Sequence, residues 1–236
     1  IFKRGVAKLR VEGLFINKNN FMTEKNWPTN DNGPIPTQEK IEKNKLIANY
    51  VSNVDNWENW EKEYRYGLIL VMPPEPTSSM VNSLRSKYDP KSQSSCDAHI
   101  SLSVPVPRPV TEEDWIELQN IASEIKPFEI GYGKPKDYPP YPGVAFPLEN
   151  QTELNAVREK IEGASLFSDA APRKFPFNPH MTIAEFISKE ETADLLKKLE
   201  DKTNAGSFLC DGLVYIVPDE NMNFNVVRKL NFGPKK

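Results

Sequence analysis

Cysteine and histidine are both scarce in this chain, and no long apolar run occurs. Each scarcity removes a class of protein. Two cysteines, Cys96 and Cys210, cannot build a disulfide framework, and no metal-type spacing connects them. Both read as reduced core thiols. No apolar stretch approaches the roughly 18 residues a membrane span needs, so no membrane association is expected. The opening "KRGVAKLR" is basic, but no apolar segment follows it, so it is not a recognisable signal peptide. The expected location is the cytoplasm. Positive charge is not in excess either. A net charge of -3 argues against duplex DNA, whose binders neutralise many phosphates with clustered Lys and Arg. A small phosphate ligand needs only a few donors and stays open. What is present suffices for a buried core: 38% of the residues are hydrophobic and 10% aromatic. The 236 residues suit one large domain, or a domain of about 170 with an extension. A monomer is expected.

Residues 1–60 differ from the rest and read as an N-terminal extension packed on a main domain of residues 61–236. "NWPTNDNGPIPTQ" (26–38) is a loop by its Pro, Asn and Gly content. The stretch from Gln38 to Tyr64 predicts helix: Ile41, Leu46, Ile47 and Tyr50, then Trp57, Trp60 and Tyr64, partly keep helical spacing. From Tyr66 the order becomes regular. "YGLILVM" predicts a strand stopped by Pro73-Pro74, then a helix over about 77–87, then a strand carrying His99 in "SCDAHISLSVPV". Thr111 to Asp114 forms a capping box for a helix burying Trp115, Leu118, Ala122 and Ile125, and "PFEIGYG" follows as a strand.

That order then repeats. "GVAFPLE" (143–149) predicts a strand. Asn150 is placed to cap a helix burying Leu154, Val157, Ile161 and Ala164. "HMTIAEF" is a strand carrying His180. Ser188 to Glu191 is a second capping box, before a helix with Ala193, Leu195, Leu196 and Leu199 on one face. "FLCDGLVYIVP" and "NFNVVRKLNF" close as a hairpin whose Phe224, Val226, Leu230 and Phe232 alternate onto one face. Strand, helix, His strand, helix, strand in each half predicts an α+β fold. Two pseudo-symmetric lobes would set antiparallel sheets around a cleft, with helices outside.

Both histidines sit in one pattern, His-x-hydroxyl-apolar: His99-Ile100-Ser101-Leu102 and His180-Met181-Thr182-Ile183. On a strand, residues i and i+2 share a face. His99 and Ser101 would then project together, as would His180 and Thr182, while Ile100, Leu102, Met181 and Ile183 enter the core. Two imidazoles and two hydroxyls around one point suit phosphodiester chemistry without a metal or cofactor. An imidazole takes and gives protons near neutrality, so one deprotonates the nucleophile and the other protonates the leaving oxygen. The hydroxyls donate to the non-bridging oxygens, where charge builds up. The bland alternative is two structural strand histidines. Zinc is a poorer fit, since two neutral ligands are too few.

These paired motifs resemble those of the two-histidine (2H) phosphoesterase superfamily. That group includes the RNA 2',3'-cyclic phosphodiesterases, historically called 2'-5' RNA ligases. "FPFNPHMTIAEF" is similar to that family's second-motif segment, and "YGLILVM" and "GVAFPLE" fall where it has lobe strands. The resemblance covers about residues 64–233. It implies a bilobal fold and a metal-free reaction on a phosphodiester, and the function expected is a phosphodiesterase that hydrolyses a cyclic phosphate on a nucleotide or short RNA end. His99, Ser101, His180 and Thr182 would be the catalytic set; the motif symmetry does not decide which imidazole is the base, and His180 as base with His99 as acid is the reading taken. Glu185 departs from the pattern, because many relatives carry a basic residue shortly after the second motif. A 2',5'-phosphodiesterase, an RNA-trimming transesterase, a non-catalytic nucleotide-binding module and an adaptor using residues 1–60 stay open.

Further substrate contacts are expected from Arg173 and Lys174, just before the second motif, to a terminal phosphate. Tyr132, Tyr138 and Tyr141, flanking "YGKPKDYPPYPG", are candidates for stacking on a base. Phe175 and Phe177 read as anchors holding their loop to the core.

Overall fold

In the computed structural model, residues 42–138 and 141–233 are described, and all of them fall within one compact unit. The elements are α1 (Asn59–Glu63), β1 (Leu68–Val71), α2 (Thr77–Tyr88), α3 (Pro90–Ser95), β2 (Ile100–Ser101), α4 (Glu112–Ser123), β3 (Phe128–Tyr132), β4 (Lys136–Asp137), β5 (Gly143–Glu149), α5 (Thr152–Glu162), β6 (His180–Glu185), α6 (Lys189–Leu199), β7 (Gly206–Cys210), β8 (Gly212–Pro218) and β9 (Phe224–Asn231). The architecture is α+β, with every strand pairing antiparallel.

Two open sheets form. The first has the order β2-β1-β8-β9. In the second, β5 pairs with β6, with β3 and with the short β4, and β3 pairs with β7. Each sheet thus starts with a His-motif strand beside the first strand of its half. Each is completed by strands from the other half: β8 and β9 join the first sheet, and β3 joins the second. Strands β2 and β6 lie near each other where the sheets meet. The repeat in element order is real, but the two halves are interleaved.

The capping boxes form as expected. Thr111 accepts from the Asp114 amide at 3.3 Å, and Asp114 accepts from the Thr111 amide at 2.9 Å. Arg108 grips the same carboxylate with two bonds of 2.7 Å. Ser188 and Glu191 repeat the arrangement at α6. Behind these caps, Trp115, Leu118, Ala122 and Ile125, and Leu154, Val157, Ile161 and Ala164, are buried in one continuous core.

Several expectations fail for local reasons. The helix over 38–64 shrinks to one turn at 42–43 and α1; residues 38–41 lie outside the described residues, as does the loop 26–38. Its backbone is used differently. The Ile47 amide donates to the Val110 carbonyl at 3.1 Å and the Glu112 amide to the Lys45 carbonyl at 2.9 Å, so the segment runs as an irregular edge beside Val110–Glu112. Trp57 is buried there, its indole donating to the Glu220 carbonyl at 3.3 Å, while Trp60 is exposed. Asn150 does not cap α5. It takes a left-handed φ of 47°, and Gln151 is the N-cap. Ala193 faces out, and Thr192, Leu195 and Leu199 make the buried stripe of α6. A register shift beside Tyr215/Ile216 inserts an extra residue in β9, Val227. The alternation therefore breaks, leaving Val226 49% exposed while Leu230 and Phe232 stay inside.

Candidate active site

Strand geometry sorts the motif residues as their spacing requires. Ile100, Leu102, Met181 and Ile183 are fully buried, while His99, Ser101, His180 and Thr182 keep access to solvent. His99 stands one residue before β2, and His180 opens β6. β2 is only two residues long because the ladder is capped by a side chain: the Ile69 amide donates to Ser103 Oγ at 3.0 Å, and the Ile69 carbonyl accepts from both Leu102 and Ser103.

The two imidazoles are held in mirrored fashion. His99 Nδ1 lies 2.7 Å from the Asp97 carbonyl oxygen, and His180 Nδ1 lies 2.9 Å from that of Asn178. A carbonyl oxygen only accepts, so each Nδ1 carries the proton. Each Nε2 is thereby left as the working nitrogen. Neither the Ser101 nor the Thr182 hydroxyl has a hydrogen-bond partner among the described residues. Both are available to a ligand.

The electrostatics are less symmetric. Desolvation by the surrounding protein pushes the His99 pKa down to about 4, and the charges of Arg85 and His180 add to the fall against the Asp97 hydrogen bond. The His180 pKa is also lowered by desolvation, opposed by its bond to Asn178. His99 feels the charge of His180, so a proton on one ring disfavours a proton on the other.

Two side chains that hold this pair carry no motif. Tyr138 lies with its ring centroid 3.8 Å from that of His180, and its hydroxyl donates to the same Asn178 carbonyl that His180 uses. Desolvation pushes its own pKa up to about 12, so it stays a neutral donor. Arg85, on α2, is buried. One of its amino groups donates to the Thr182 carbonyl at 3.1 Å; the other donates to the Ser92 carbonyl at 2.8 Å and the Cys96 carbonyl at 2.9 Å. It therefore ties the His180 strand to the approach to His99. A single Arg inside an amphipathic helix gives no sequence signal of this role; only its place on the otherwise buried face of α2, with Thr77 and Val81, hints at it.

The remaining candidates scatter. Tyr132 is a core residue, 7% exposed, with its ring against Phe146 and Phe208; it offers no face to a ligand, because its strand position points inward. Arg173 is spoken for: it donates to Glu162 and to the Leu102 carbonyl, and lies over Phe177. That clamps its loop to the end of the first motif, where it serves as a brace instead of a free phosphate ligand. Lys174 is exposed and paired with Glu63 at 2.7 Å. Phe177 packs on the core as expected, but Phe175 is exposed, as is Tyr141. Glu185 accepts from Ser92 Oγ at 3.2 Å, and desolvation and Asp89 raise its carboxyl pKa. Cys96 and Cys210 are free thiols, both pushed up to about 12 by desolvation. Among the described residues no group of three or more His, Cys, Asp or Glu could hold a metal, and no helix is long and apolar enough to cross a membrane.

Comparison with known proteins gives a consistent result. A family model described as the 2'-5' RNA ligase superfamily matches residues 73–221, which includes both motifs. A Bacillus cytotoxicus protein bearing the name "Putative phosphoesterase" is 30% identical over 168 residues, covering 70% of this chain and 95% of its own length. A Bacillus cereus (strain G9842) protein of similar name is 32% identical over 137 residues, covering 57% of this chain and 77% of its own. Among solved structures, E. coli LigT in apo form aligns at 13% identity with a TM-score of 0.47, over 70% of this chain and 96% of that one. TT0787 of Thermus thermophilus aligns at 16% identity with a TM-score of 0.47, over 72% of this chain and 98% of that one.

Proposed function

Because the chain belongs to the 2'-5' RNA ligase superfamily, a family of phosphoesterases, we propose that it opens a cyclic phosphate on a nucleotide or RNA end by two-histidine catalysis. The observation that carries this reading is the mirrored tethering of the imidazoles. Each Nδ1–H is tied to the carbonyl two residues upstream, and each Nε2 is free beside an unengaged hydroxyl.

The reaction follows from that geometry. A 2',3'-cyclic phosphate sits between the rings, with Ser101 Oγ and Thr182 Oγ1 donating to its non-bridging oxygens. Water attacks phosphorus and gives its proton to one Nε2. The bond from phosphorus to one ribose oxygen breaks, and that oxygen takes the proton from the other Nε2–H. The products are a phosphate monoester and a free ribose hydroxyl. One imidazole must start neutral and the other protonated. His99 is the more strongly depressed of the two, so the single proton resides on His180. We therefore take His99 as the base and His180 as the acid, a choice that the symmetry of the two motifs leaves open. Chemistry of this kind needs no metal, since both proton transfers are supplied by the chain.

The test is turnover in EDTA on 2',3'-cyclic nucleotides and on 2',5'- and 3',5'-linked dinucleotides, with wild type and His180→Ala side by side. Ring opening of the cyclic phosphate, lost in the variant, is the expected result. Equal rates in both proteins would overturn the mechanism. Cleavage confined to the linked dinucleotides with a cyclic product would replace hydrolysis by transesterification.

A further inference from the structure

The segments that build the second motif also carry three aromatic rings that the phosphate chemistry does not use. Tyr141 follows Tyr138 in the loop that covers His180, Phe175 lies in the loop leading to His180, and Phe186 directly follows β6. They are 53%, 53% and 73% exposed. They nonetheless cluster: Tyr141 meets Phe175 edge-on at 6.4 Å between centroids, and Phe186 at 5.5 Å. A contiguous exposed aromatic patch marks a contact surface. Phe186 also holds a left-handed φ of 56°, a conformation that a bulky residue adopts at a cost.

Position and charge select the occupant. The patch is borne by the segments that hold the second motif: Tyr138, three residues before Tyr141, rests its ring on His180, and Phe175 lies five residues before His180. Phe186 is six residues along an extended strand from His180, so the patch lies within about 20 Å of the reacting phosphate. That is within reach of a neighbouring nucleotide on the same strand. Lys174, whose charge acts on Tyr141, is already paired with Glu63, and Glu185 adds a carboxyl group at the end of β6. Such a surface offers π-faces.

We propose that Tyr141, Phe175 and Phe186 form a stacking shelf for an unpaired base one or two nucleotides from the reacting phosphate. The preferred substrate is then a short single-stranded oligonucleotide end, not a mononucleotide. This deepens the phosphodiesterase reading and rests on it. Stacking accepts any base and does not rely on phosphate contacts, so the shelf is tolerant of sequence and only weakly sensitive to salt.

The experiment compares kcat/KM on a nucleoside 2',3'-cyclic phosphate and on a trinucleotide ending in the same group, at two salt concentrations. Wild type should prefer the trinucleotide at both. Phe186→Ala and Phe175→Ala should shrink that preference by about 5- to 100-fold through KM, and Phe186→Trp should restore it. Equal treatment of the two substrates by wild type, or an unchanged preference in the variants, would overturn the shelf and leave the patch as a protein-facing surface. If wild type turns over neither substrate, the phosphodiesterase reading fails by itself. Titration of an unreactive trinucleotide 3'-phosphate, followed by intrinsic fluorescence, then decides the shelf. Weaker binding to Phe186→Ala than to wild type supports it, and equal or absent binding rejects it.

Discussion

Two carbonyl oxygens, those of Asp97 and Asn178, decide what the two imidazoles can do. With both Nδ1 positions occupied by protons, the pH dependence depends on Nε2 alone. On the proposed mechanism His180, as acid, must be protonated, so kcat/KM falls as pH rises through its free-enzyme pKa, which lies below the ordinary 6.5. On the same mechanism His99, as base, must be neutral, so kcat/KM falls as pH drops through about 4. The expected profile is a bell confined to the acid side of neutrality, read from initial rates at low substrate. A plateau extending above pH 8 would contradict it. Removing the ring that shields His180, by Tyr138→Ala, should let its pKa rise and move the alkaline limb to higher pH, while Tyr138→Phe keeps the ring and the limb in place. Ser101→Ala and Thr182→Ala should each lower kcat by about 10- to 1000-fold, the range for loss of one donor to a developing anion. At this scale the motif residues were legible because strand alternation is local. Tyr138 was legible only as a candidate for a base, since nothing in the order of residues says that its ring rests on an imidazole.

Helix α2 does more than fill the first lobe, because its Arg85 spans to the second. Losing that guanidinium strands three part-buried carbonyl acceptors, at Ser92, Cys96 and Thr182. Arg85→Met should cost about 2–4 kcal/mol of stability, measured by urea unfolding. It should also raise the acid limb of kcat/KM, because a positive charge that disfavours protonated His99 is gone. Arg85→Lys keeps the charge and should hold the limb lower than the Met variant does. The capping boxes make a simpler case: Thr111→Ala should destabilise by about 1 kcal/mol without changing the pH profile. Caps and buried faces of α4 to α6 could be read from sequence because their partners are three or four residues away. The segment 42–58 could not. Its amides pair with residues near 110, and no periodicity reports a partner so distant. Val226 was misplaced for a related reason, since a bulge is set by the strand beside it.

At the scale of the whole molecule, the described part of the expected extension is built into the fold. Trp57 is buried against the turn at Glu220, Tyr50 shares a 3.1 Å bond with the buried Tyr215, and Arg65 Nε donates to the Val51 carbonyl at 2.8 Å. A chain beginning at residue 61 should therefore melt lower than one beginning at residue 42, by scanning calorimetry, even with both histidines present. The alternation of β strands and helices made the two-lobed pattern legible, but not the exchange of strands between lobes. That exchange bears on how the protein is made. β1 finds its inner partner only in β8, and Ser101 is aligned on β1. During synthesis from the N-terminus, the first histidine motif leaves the ribosome early and then waits, its sheet unfinished, until the last hairpin emerges. Pairing across so long a stretch of chain is intrinsically slow. The first half of the candidate site to be translated is thus among the last to be completed, and the two imidazoles are not both set in finished sheets until the chain is nearly whole.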